Sequence, residues 1–309
     1  MSGGACCTPS RPGNARPAER SWLGAARASA GMRRIPAGWF LMGSDAGYPD
    51  DGEGPVRRVW TNAFHIEPHA VTNAEFAAFV KATGHRTEAE RAGWSFVFEA
   101  FLTPEISGRT TLAVAAAPWW VAVEGASWRT PEGPGSSVDD RHDHPVVHVS
   151  WDEAVAYCEW AGTRLPTEAE WERAARGGLE QKRYPWGDEL TPRGRYRCNI
   201  WQGIFPTRNT GEDGHLGTAP VDAYAPNGFG LYNMSGNVWE WCADWFGADH
   251  SHDPARDPRG PGSGVAKVIR GGSYLCHESY CNRYRVAARS SNTPDSSTGN
   301  MGFRCVSDA

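Results

Sequence analysis

The residues that could do chemistry lie closest together between Gly271 and Arg289, in the segment G-G-S-Y-L-C-H-E-S-Y-C-N-R-Y-R-V-A-A-R. It contains two cysteines, Cys276 and Cys281, five positions apart. On a helix this spacing turns the two side chains well over a right angle apart, and on a strand it places them on opposite faces. The thiols can therefore meet only if the segment folds back in a loop. Such a pair could be a disulfide, a redox couple or a soft-metal site.

A second group of candidate ligands is formed by His142, His144 and His148 in the run D-D-R-H-D-H-P-V-V-H. The pattern V-V-H-V-S-W around His148 is typical of a strand that leads into a capped helix. Histidines on such a strand are more often hydrogen-bonded core groups than metal ligands. The pattern therefore favours a structural role for them.

The composition describes an ordinary soluble globular protein. The 309 residues are 40% hydrophobic and 22% charged, with a net charge of −5, which gives no reason to expect a nucleic acid or an anionic membrane as partner. No apolar run approaches the roughly 18 residues that a membrane-spanning helix needs. The 15 Trp, 36 Gly and 22 Pro favour a loop-rich α+β fold with few long elements.

The chain divides into a tail and one domain. Residues 1–31 are rich in Gly, Ala, Pro, Ser and Arg and lack the apolar core of a secretory signal, so we expect a disordered tail and a cytoplasmic protein. Residues 32–309 are expected to form a single domain that carries the chemistry. Eight cysteines do not make a disulfide scaffold at this length, and in the cytoplasm paired cysteines are more often catalytic or metal-binding.

Local patterns predict the elements that position these residues. The stretch 34–43 reads as strand, turn, strand. Three capping boxes predict helix starts, at Thr72 with Glu75, Ser150 with Glu153, and Thr167 with Glu170. Apolar residues on one face predict the buried side of each helix: Phe76, Phe79 and Val80 in the first, Val155, Cys158 and Ala161 in the second, and Trp171, Ala174 and Ala175 in the third, which ends at Gly177-Gly178.

Four segments resemble the formylglycine-generating enzyme (sulfatase-modifying factor) family across roughly residues 32–307. They are R-L-P-T-E-A-E-W-E at 164–172, G-F-G-L-Y-N-M-S-G-N-V-W-E-W at 228–241, R-G-G-S-Y at 270–274 and G-F-R-C at 302–305. Fold relatives share some of these segments. The more specific resemblance is C-H-E-S-Y-C-N-R-Y-R followed by A-A-R-S-S-N-T-P-D-S-S-T-G-N, which is similar to the bacterial, aerobic copper type.

The resemblance implies a fold and an activity. The fold would be a loop-rich α+β relative of C-type lectins with little regular secondary structure. The activity would be oxidation of a cysteine in a C-x-P-x-R segment of an unfolded or nascent sulfatase to Cα-formylglycine, with O₂ as co-substrate. A Cu(I) ion would be held by Cys276 and Cys281, and Cu(I) suits thiolates and low coordination. The alternative, considered from the residues alone, is a disulfide between these cysteines.

The resemblance also implies roles for residues near the pair. The catalytic residues would be Cys276 and Cys281 with Ser273, Tyr280 and Trp239, and the substrate-binding residues Arg289, Asn300 and His277. Trp239 and Tyr280 could instead be core aromatics, and His277 could simply face solvent.

Two structural calcium sites are implied by the same resemblance. The first set is Asn199, Ile200, Asp213 and His215, and the second is Asn233, Gly236, Val238 and Glu240. Amide, carbonyl and carboxylate oxygens on irregular loops suit Ca²⁺. The alternative is that the Asn and Asp residues merely form turns.

Four further cysteines carry expectations of their own, and two competing functions have to be weighed. Cys158 and Cys305 match positions that form a disulfide in some relatives, whereas Cys198 and Cys242 are expected to be thiols. A calcium-stabilised, lectin-like binding module is the runner-up function, and the Cys276–Cys281 loop argues against it. An iron oxygenase is disfavoured because no H-x-x-x-H-x-E run is present.

One acidic run and one segment of the N-terminal tail bear on peptide recognition. The acidic residues Asp50, Asp51 and Glu53 are the predicted partners of the substrate arginine. Within the tail, Cys7-Thr8-Pro9-Ser10-Arg11 is itself a C-x-P-x-R sequence. It could be an accident of composition, a pseudosubstrate or a self-modified substrate, and a flexible tether of this length could reach the active site.

Overall fold

The structure is a computed structural model that describes residues 7–11, 31–108 and 112–309. Its helices are α1 (Asn73–Thr83), α2 (Glu88–Ala92), α3 (Pro104–Ser107), α4 (Trp151–Ala161) and α5 (Glu168–Arg176). Its strands are β1 (Arg33–Ile35), β2 (Gly38–Met42), β3 (Arg57–Thr61), β4 (Phe64–Ile66), β5 (Trp94–Phe98), β6 (Ala113–Val114), β7 (Ala117–Glu124), β8 (Gly203–Ile204), β9 (Arg208–Asn209), β10 (Trp239–Trp245), β11 (Ala255–Arg256), β12 (Lys267–Arg270), β13 (Arg289–Asn292), β14 (Met301–Gly302) and β15 (Val306–Asp308).

The three predicted capping boxes are confirmed at the starts of α1, α4 and α5. In each, the hydroxyl accepts from the N3 amide and the N3 glutamate accepts from the N-cap amide. A fourth box, Thr87 with Glu90, begins α2 and was not predicted. Left-handed glycines end all four helices. In the ranges that the structure covers, no helix is long and apolar enough to cross a membrane.

The predicted first pair of strands exists, but its strands belong to different sheets. β1 pairs with β4, which also pairs with β15 near the C-terminus. β2 pairs instead with β3. The turn at residues 36–37 therefore moves the chain from one sheet to another, which a local strand pattern does not reveal.

A four-stranded sheet in the order β13-β12-β10-β14 supports the cysteine segment. β12 enters that segment and β13 leaves it, and the two strands pair antiparallel from Lys267 with Asn292 to Arg270 with Arg289. The segment between them is therefore one long excursion from the end of a single strand pair. The fold is α+β and loop-rich, as predicted.

Helices α4 and α5 pack on this framework. Tyr157 and Cys158 of α4 lie in the largest apolar cluster together with Trp239, Trp241, Cys276 and Cys281. Trp171, Ala174 and Ala175 of α5 lie in a second cluster with Val268 and Val286. The predicted inward face is confirmed for α5, whereas in α4 Cys158 and Ala161 are buried as predicted, Val155 is only half-buried, and Tyr157 takes the inward position instead.

Buried ion pairs join α5 to the sheet. Arg270 contacts Glu168 at 2.9 Å and Glu172 at 2.6 Å, and Arg289 contacts Glu168 with both its Nε and Nη2 at 2.7 Å. Burial alone would raise the pKa of Glu168, but the neighbouring Arg289 and Arg270 outweigh it and lower that pKa to about 2. The carboxylate is therefore charged in the folded protein.

Residues 7–11 differ from the prediction of a disordered tail over residues 1–31. Cys7, Thr8 and Pro9 are buried against the domain, and Thr8 is 0% exposed. The composition of the tail carried no sign of this, because the contacts are made with residues more than 80 positions away. Residues 1–6 and 12–30 lie outside the described residues.

Replacing Glu168 by Gln should lower the free energy of unfolding by about 3–5 kcal/mol, since it leaves two buried arginines without their full partner. The folded pKa of Glu168 is depressed, so its stabilisation is present above the ordinary value of 4.5 and is lost as the pH falls towards about 2. Urea unfolding between pH 5 and pH 2 should show a shallower pH dependence in Glu168→Gln than in the wild type.

The matched control is Glu180→Gln, which changes an exposed glutamate in the loop after α5. It should reproduce the wild-type pH profile. Equal profiles for all three proteins would contradict the assignment of Glu168 as a stabilising charge.

Candidate active site

The segment between β12 and β13 folds back on itself as the cysteine spacing requires. The amides of Tyr280 and Cys281 both donate to the carbonyl of His277, at 3.0 and 2.7 Å. The carbonyl of Cys276 accepts from the amide of Trp201 at 3.0 Å, which fixes the first half of the loop to a neighbouring loop. Both cysteines are 1% exposed.

Gly272 allows the chain to enter this loop. It has a φ of +73°, and a Cβ built there would lie 2.9 Å from the backbone Cα of Tyr284. A larger residue would clash with the returning arm of the same loop. The second glycine of the R-G-G-S run is therefore required on steric grounds.

The Cys276 and Cys281 sulfurs lie 3.1 Å apart. A disulfide bond requires about 2.05 Å, and both residues are thiols in the structure. The predicted meeting of the two side chains is thus observed as a buried dithiol.

A third thiol, from the N-terminal segment, reaches this pair. The Cys7 sulfur lies 2.8 Å from that of Cys281. Cys7 is 6% exposed and belongs to the same apolar cluster as the pair. Its carbonyl accepts from the side-chain amide of Asn300 at 3.2 Å.

The backbone that follows Cys7 lies along β13. Asn292, the last residue of that strand, donates its amide to the carbonyls of Thr8 at 3.5 Å and Pro9 at 3.2 Å. The Ser10 hydroxyl donates to the Asn292 amide oxygen at 2.7 Å. The Asn292 side chain thus forms hydrogen bonds with three consecutive residues of the segment.

Arg11 ends this set of contacts. Its backbone amide donates to the Ser296 hydroxyl at 2.7 Å, and its Nη2 donates to the Trp94 carbonyl at 2.9 Å. The guanidinium lies 4.3 Å from the centre of the Trp94 ring. This distance is typical of a cation–π contact.

The acidic run Asp50, Asp51 and Glu53 was predicted to bind a substrate arginine, and for Asp51 and Glu53 this is wrong in the structure. Asp51 pairs with Arg283 at 2.5 Å, and Glu53 pairs with Arg285 at 2.6 Å. These carboxylates satisfy arginines of the cysteine loop itself. The negative charges that act on Arg11 instead come from Glu88, Glu153 and Asp295.

Arg283 places a positive charge beside the thiols. Its Nη1 donates to the Cys7 sulfur at 3.4 Å while Asp51 holds the other side of the guanidinium. Burial would raise the pKa of Cys281, but hydrogen bonds from Cys276 and Cys7 and the charge of Arg283 lower it well below its ordinary value. Burial and the neighbouring Cys281 raise the pKa of Cys276. The pair is thus poised to share one thiolate.

Ser273 and Asn300 lie beside the thiols, and Trp239 belongs to the same apolar cluster as the cysteine pair. The Ser273 amide donates to the Cys276 sulfur at 3.4 Å, and the Ser273 hydroxyl accepts from Asn300 at 3.0 Å. Trp239 is fully buried in the cluster that contains both cysteines. Its Nε1 has no hydrogen-bond partner among the described residues, which is costly for a buried donor.

Tyr280 and His277 lie at the outer part of the loop. The Tyr280 ring stacks on Phe205 at 4.5 Å and meets Trp119 edge-on at 4.8 Å. His277 is half-buried and contacts Ser279 through Nδ1 at 2.8 Å. No hydrogen bond joins His277 to residues 7–11 in the described structure, and its role in substrate binding stays a prediction.

Arg289 was predicted to bind substrate, and the structure places it elsewhere. Its guanidinium is held by Glu168 and donates to the Gly247 carbonyl at 2.7 Å. It stacks on Phe246 at 4.6 Å. Among the described residues, Arg289 has no hydrogen bond to residues 7–11. It is the first residue of β13 and contacts α5, whereas the last residue, Asn292, contacts the segment.

The first predicted calcium set has an unsatisfied oxygen. The side-chain oxygen of Asn199 is buried and lacks a partner among the described residues. One oxygen of Asp213 accepts from the Ile200 amide at 3.0 Å, and the other accepts from the His215 amide at 3.0 Å. The Asp213 carboxylate therefore joins residues 199–200 to residues 213–215, and the side-chain oxygen of Asn199 is the unpartnered oxygen of the set.

The second set is only partly available. The side-chain oxygen of Asn233 is buried and unpartnered within the described residues. Glu240, by contrast, accepts from Arg304 at 2.6 Å with each oxygen and from the Trp171 ring nitrogen at 2.7 Å. Its carboxylate is committed to a buried ion pair in the sheet, which does not support the predicted role of Glu240 as a ligand. Asn233 and the carbonyls of Gly236 and Val238 remain.

His148 is a core histidine. Its ring nitrogens contact the Ser95 hydroxyl and the Pro131 carbonyl, both at 2.8 Å. Burial lowers its pKa to about 4. Across the described ranges, no group of three or more His, Cys, Asp or Glu side chains is arranged as a complete metal site. The cysteine loop itself contributes two thiols, Cys276 and Cys281, and the third thiol, Cys7, comes from the N-terminal segment.

The other cysteines that the structure describes are buried thiols. The sulfurs of Cys158, on α4, and Cys305 lie 3.5 Å apart. Cys198 and Cys242 are also buried, and burial raises the pKa of each. A disulfide between Cys158 and Cys305 stays a prediction.

Several residues that touch the segment were not predicted: Trp94, Arg283, Asn292, Ser296 and Ser297. Four of them lie within the two runs that carry the specific family resemblance, so the sequence marked the region without indicating which side chains face the cleft. Trp94 comes from the distant strand β5, and no local signal identifies it.

Comparison with known proteins agrees with this geometry. The family model described as the sulfatase-modifying factor enzyme 1-like domain matches residues 20–309. The chain is 65% identical over 284 residues to the formylglycine-generating enzyme of Thermomonospora curvata, covering 90% of this chain and 93% of that protein. It is 60% identical over 304 residues to the enzyme of the same name from Streptomyces coelicolor, covering 96% of each.

A solved structure supports the fold. The structure of PvdO from Pseudomonas aeruginosa aligns with a TM-score of 0.63 at 25% identity. The alignment covers 90% of this chain and 94% of that chain. Over that 90% of the chain, the fold thus matches an architecture already seen in a solved structure.

Proposed function

The chain belongs to the sulfatase-modifying factor family, and from that premise we propose that it is a copper-dependent oxidase of peptidyl cysteine. The family's formylglycine-generating activity, conversion of a sulfatase cysteine to formylglycine, comes with this membership. The proposal adds the metal, O₂ as co-substrate, the C-x-P-x-R segment of an unfolded or nascent sulfatase as target, and the residues responsible.

One observation supports the proposal most strongly. A C-x-P-x-R segment lies in the cleft with its cysteine sulfur 2.8 Å from Cys281, which is itself 3.1 Å from Cys276. This brings the thiol of the cysteine whose Cβ is to be oxidised to a buried dithiol and orders the residues around it. A lectin-like binding module, the alternative function, has no need of such an arrangement.

The donor set fits Cu(I). Cys276 and Cys281 offer two soft thiols in a buried, largely apolar environment, with no oxygen-rich set beside them. Soft ligands and low coordination select Cu(I) over the hard divalent ions. Cys276 and Cys281 would hold the ion, and bound copper would supply the one-electron chemistry with O₂ that thiols alone lack.

The chain's own residues bind and orient the peptide. Asn292 and Asn300 hold its backbone carbonyls, so recognition at these positions does not depend on the intervening side chains. Arg283 donates to the incoming sulfur and favours its thiolate form. The buried cluster excludes water from the reacting sulfur.

Ser273 and Asn300 supply polar hydrogens beside the thiols, and the family resemblance assigns Trp239 to the same wall of the cleft. Ser273 and Asn300 form one hydrogen-bonded pair beside Cys276. The unpartnered Nε1 of Trp239 is a donor that a small polar molecule in the cleft would satisfy. We assign these three residues to positioning O₂ or a reduced oxygen species, and Tyr280 to the outer wall.

Calcium is proposed as a structural ion, best supported at the first loop. The unpartnered oxygens of Asn199 and Asn233 are the features that a hard cation would satisfy. At the first site Asp213 adds a carboxylate, with carbonyls from Ile200 and His215. At the second, Asn233, Gly236 and Val238 would bind without Glu240. The bound ions would pin loops that lack helix or sheet.

Cys276→Ser and Cys281→Ser should each lower Cu(I) affinity by more than about 100-fold, because changes that merely surround a metal ligand already cost 10–100-fold. Each should also abolish conversion of a C-x-P-x-R peptide. Affinity is measured by competition with a Cu(I) chelator, and conversion by mass spectrometry of the peptide, where the exchange of CH₂SH for CHO lowers the mass.

Cys242→Ser is the matched control, since it changes an equally buried thiol in a different apolar cluster. It should keep most of the copper affinity and the activity. Near wild-type affinity and rate in either Cys276→Ser or Cys281→Ser would contradict the proposed site.

Trp94→Ala should raise the KM for the peptide about 5–30-fold by removing a partly buried cation–π contact of about 1–2 kcal/mol. The measurement is made in an Arg11→Ala background, so that the chain's own arginine does not occupy the Trp94 face. A peptide in which Ala replaces the arginine should bind weakly and be insensitive to the tryptophan.

The control for loss of an aromatic is Trp39→Ala, which removes a tryptophan from the exposed face of β2. It should leave the peptide KM unchanged. An equal effect of Trp94→Ala on the arginine and alanine peptides would remove Trp94 from arginine recognition.

A further inference from the structure

The N-terminal segment Cys7–Arg11 occupies the cleft that the proposed function assigns to a foreign peptide. Its five residues reach the domain through contacts with Cys281, Asn300, Asn292, Ser296 and Trp94. Cys7, Thr8 and Pro9 are buried there. This segment therefore lies in a built site and not on an open surface.

The contacts are specific to the order of residues in the segment. The thiol meets Cys281 in the loop between β12 and β13, the backbone carbonyls meet Asn292 at the end of β13 and Asn300 in the loop after it, and the arginine meets Trp94 of β5. Shifting the segment by one residue would move the cysteine away from Cys281 and the arginine away from Trp94. The match extends over all five positions.

We propose that Cys7 is a self-modification site, at which the protein converts its own cysteine to formylglycine within the same chain. This rests on the proposed function, because it uses the same reaction at the same dithiol. It names a substrate that is physically joined to the active site. Until it is converted, the segment also competes with any other peptide for the cleft.

The chemical step is balanced with O₂ as oxidant and a small thiol as reductant. The Cβ–S bond of Cys7 breaks and a Cβ=O bond forms with one oxygen atom of O₂, and the sulfur leaves as H₂S with two hydrogens from the original CH₂SH group. The second oxygen atom leaves as water, taking two electrons and two protons from two small thiols, which form a disulfide.

The reactive group distinguishes a substrate from a simple plug. A segment that served only to block the cleft would need the contacts of Asn292, Asn300 and Trp94 but no thiol at the dithiol. Here the Cys7 sulfur is the atom closest to Cys281 and also accepts from Arg283. Conversion removes that sulfur and with it both contacts, so the product segment is held only by the contacts of its backbone, Ser10 and Arg11.

The test uses the full-length protein, loaded with Cu(I) and incubated with O₂ and a small thiol. An aminooxy probe followed by peptide mapping should place an aldehyde at residue 7, and Cys7→Ser should give none there. A C-x-P-x-R peptide added to the same tube is followed in parallel. Conversion of the peptide while Cys7 stays a thiol overturns the self-modification and leaves the proposed function intact. Failure of both overturns both.

Mixing the chains tests the intramolecular route. Full-length Cys276→Ser, distinguished by mass, is added as an inactive acceptor to an equal amount of active protein. Its Cys7 should stay a thiol while that of the active chain is converted. Equal aldehyde content in the two chains would overturn modification within one chain.

Seating of the segment is measured without metal or turnover. In metal-free protein, alkylation of Cys7 by iodoacetamide should be about tenfold slower in the wild type than in Arg11→Ala, since the lost arginine contact is worth about a factor of ten in occupancy. Cys7→Ser is the control that identifies the signal of residue 7 in the peptide map. Equal alkylation rates, at the rate of the unfolded chain, would overturn seating of the segment.

Discussion

The active site depends on the pairing of four arginines with carboxylates that come from other parts of the chain. Arg270 and Arg289 bind Glu168 and Glu172 of α5, while Arg283 and Arg285 bind Asp51 and Glu53. These groups are almost fully buried, so each charge needs its partner. Together the pairs hold both ends and the returning arm of the cysteine loop, which has no helix or sheet of its own.

This anchoring explains how an irregular loop can present a defined chemical group. The loop leaves and re-enters the fold at adjacent positions of β12 and β13, and its fold-back brings two thiols within 3.1 Å. Arg283 couples the anchor to the chemistry, because the guanidinium held by Asp51 also contacts the incoming sulfur. The same strand that closes the loop ends in Asn292, which donates to the backbone carbonyl of Pro9. The buried ion pairs and the contacts of the N-terminal segment thus share one element.

Local features of this protein could be predicted from the sequence, whereas the long-range pairings could not. The capping boxes at Thr72, Ser150 and Thr167 are three-residue patterns and are confirmed. The spacing of Cys276 and Cys281 predicted that they could meet only in a loop, and the family resemblance implied that they do. Asp51, by contrast, lies 232 positions from Arg283, and no short pattern links them. For the same reason the acidic run was assigned to a substrate arginine, and the role of Trp94 was not foreseen.

The central claim is that a peptide thiol joins the Cys276–Cys281 pair to complete one site. Copper K-edge X-ray absorption of the Cu(I)-loaded protein tests it most directly, because it counts the sulfur atoms bound to the metal. The account predicts three sulfur neighbours in the full-length chain before turnover, two in Cys7→Ser, and three again when a C-x-P-x-R peptide is added to Cys7→Ser. The same sulfur count in all three samples, or no copper bound at the pair, would contradict it.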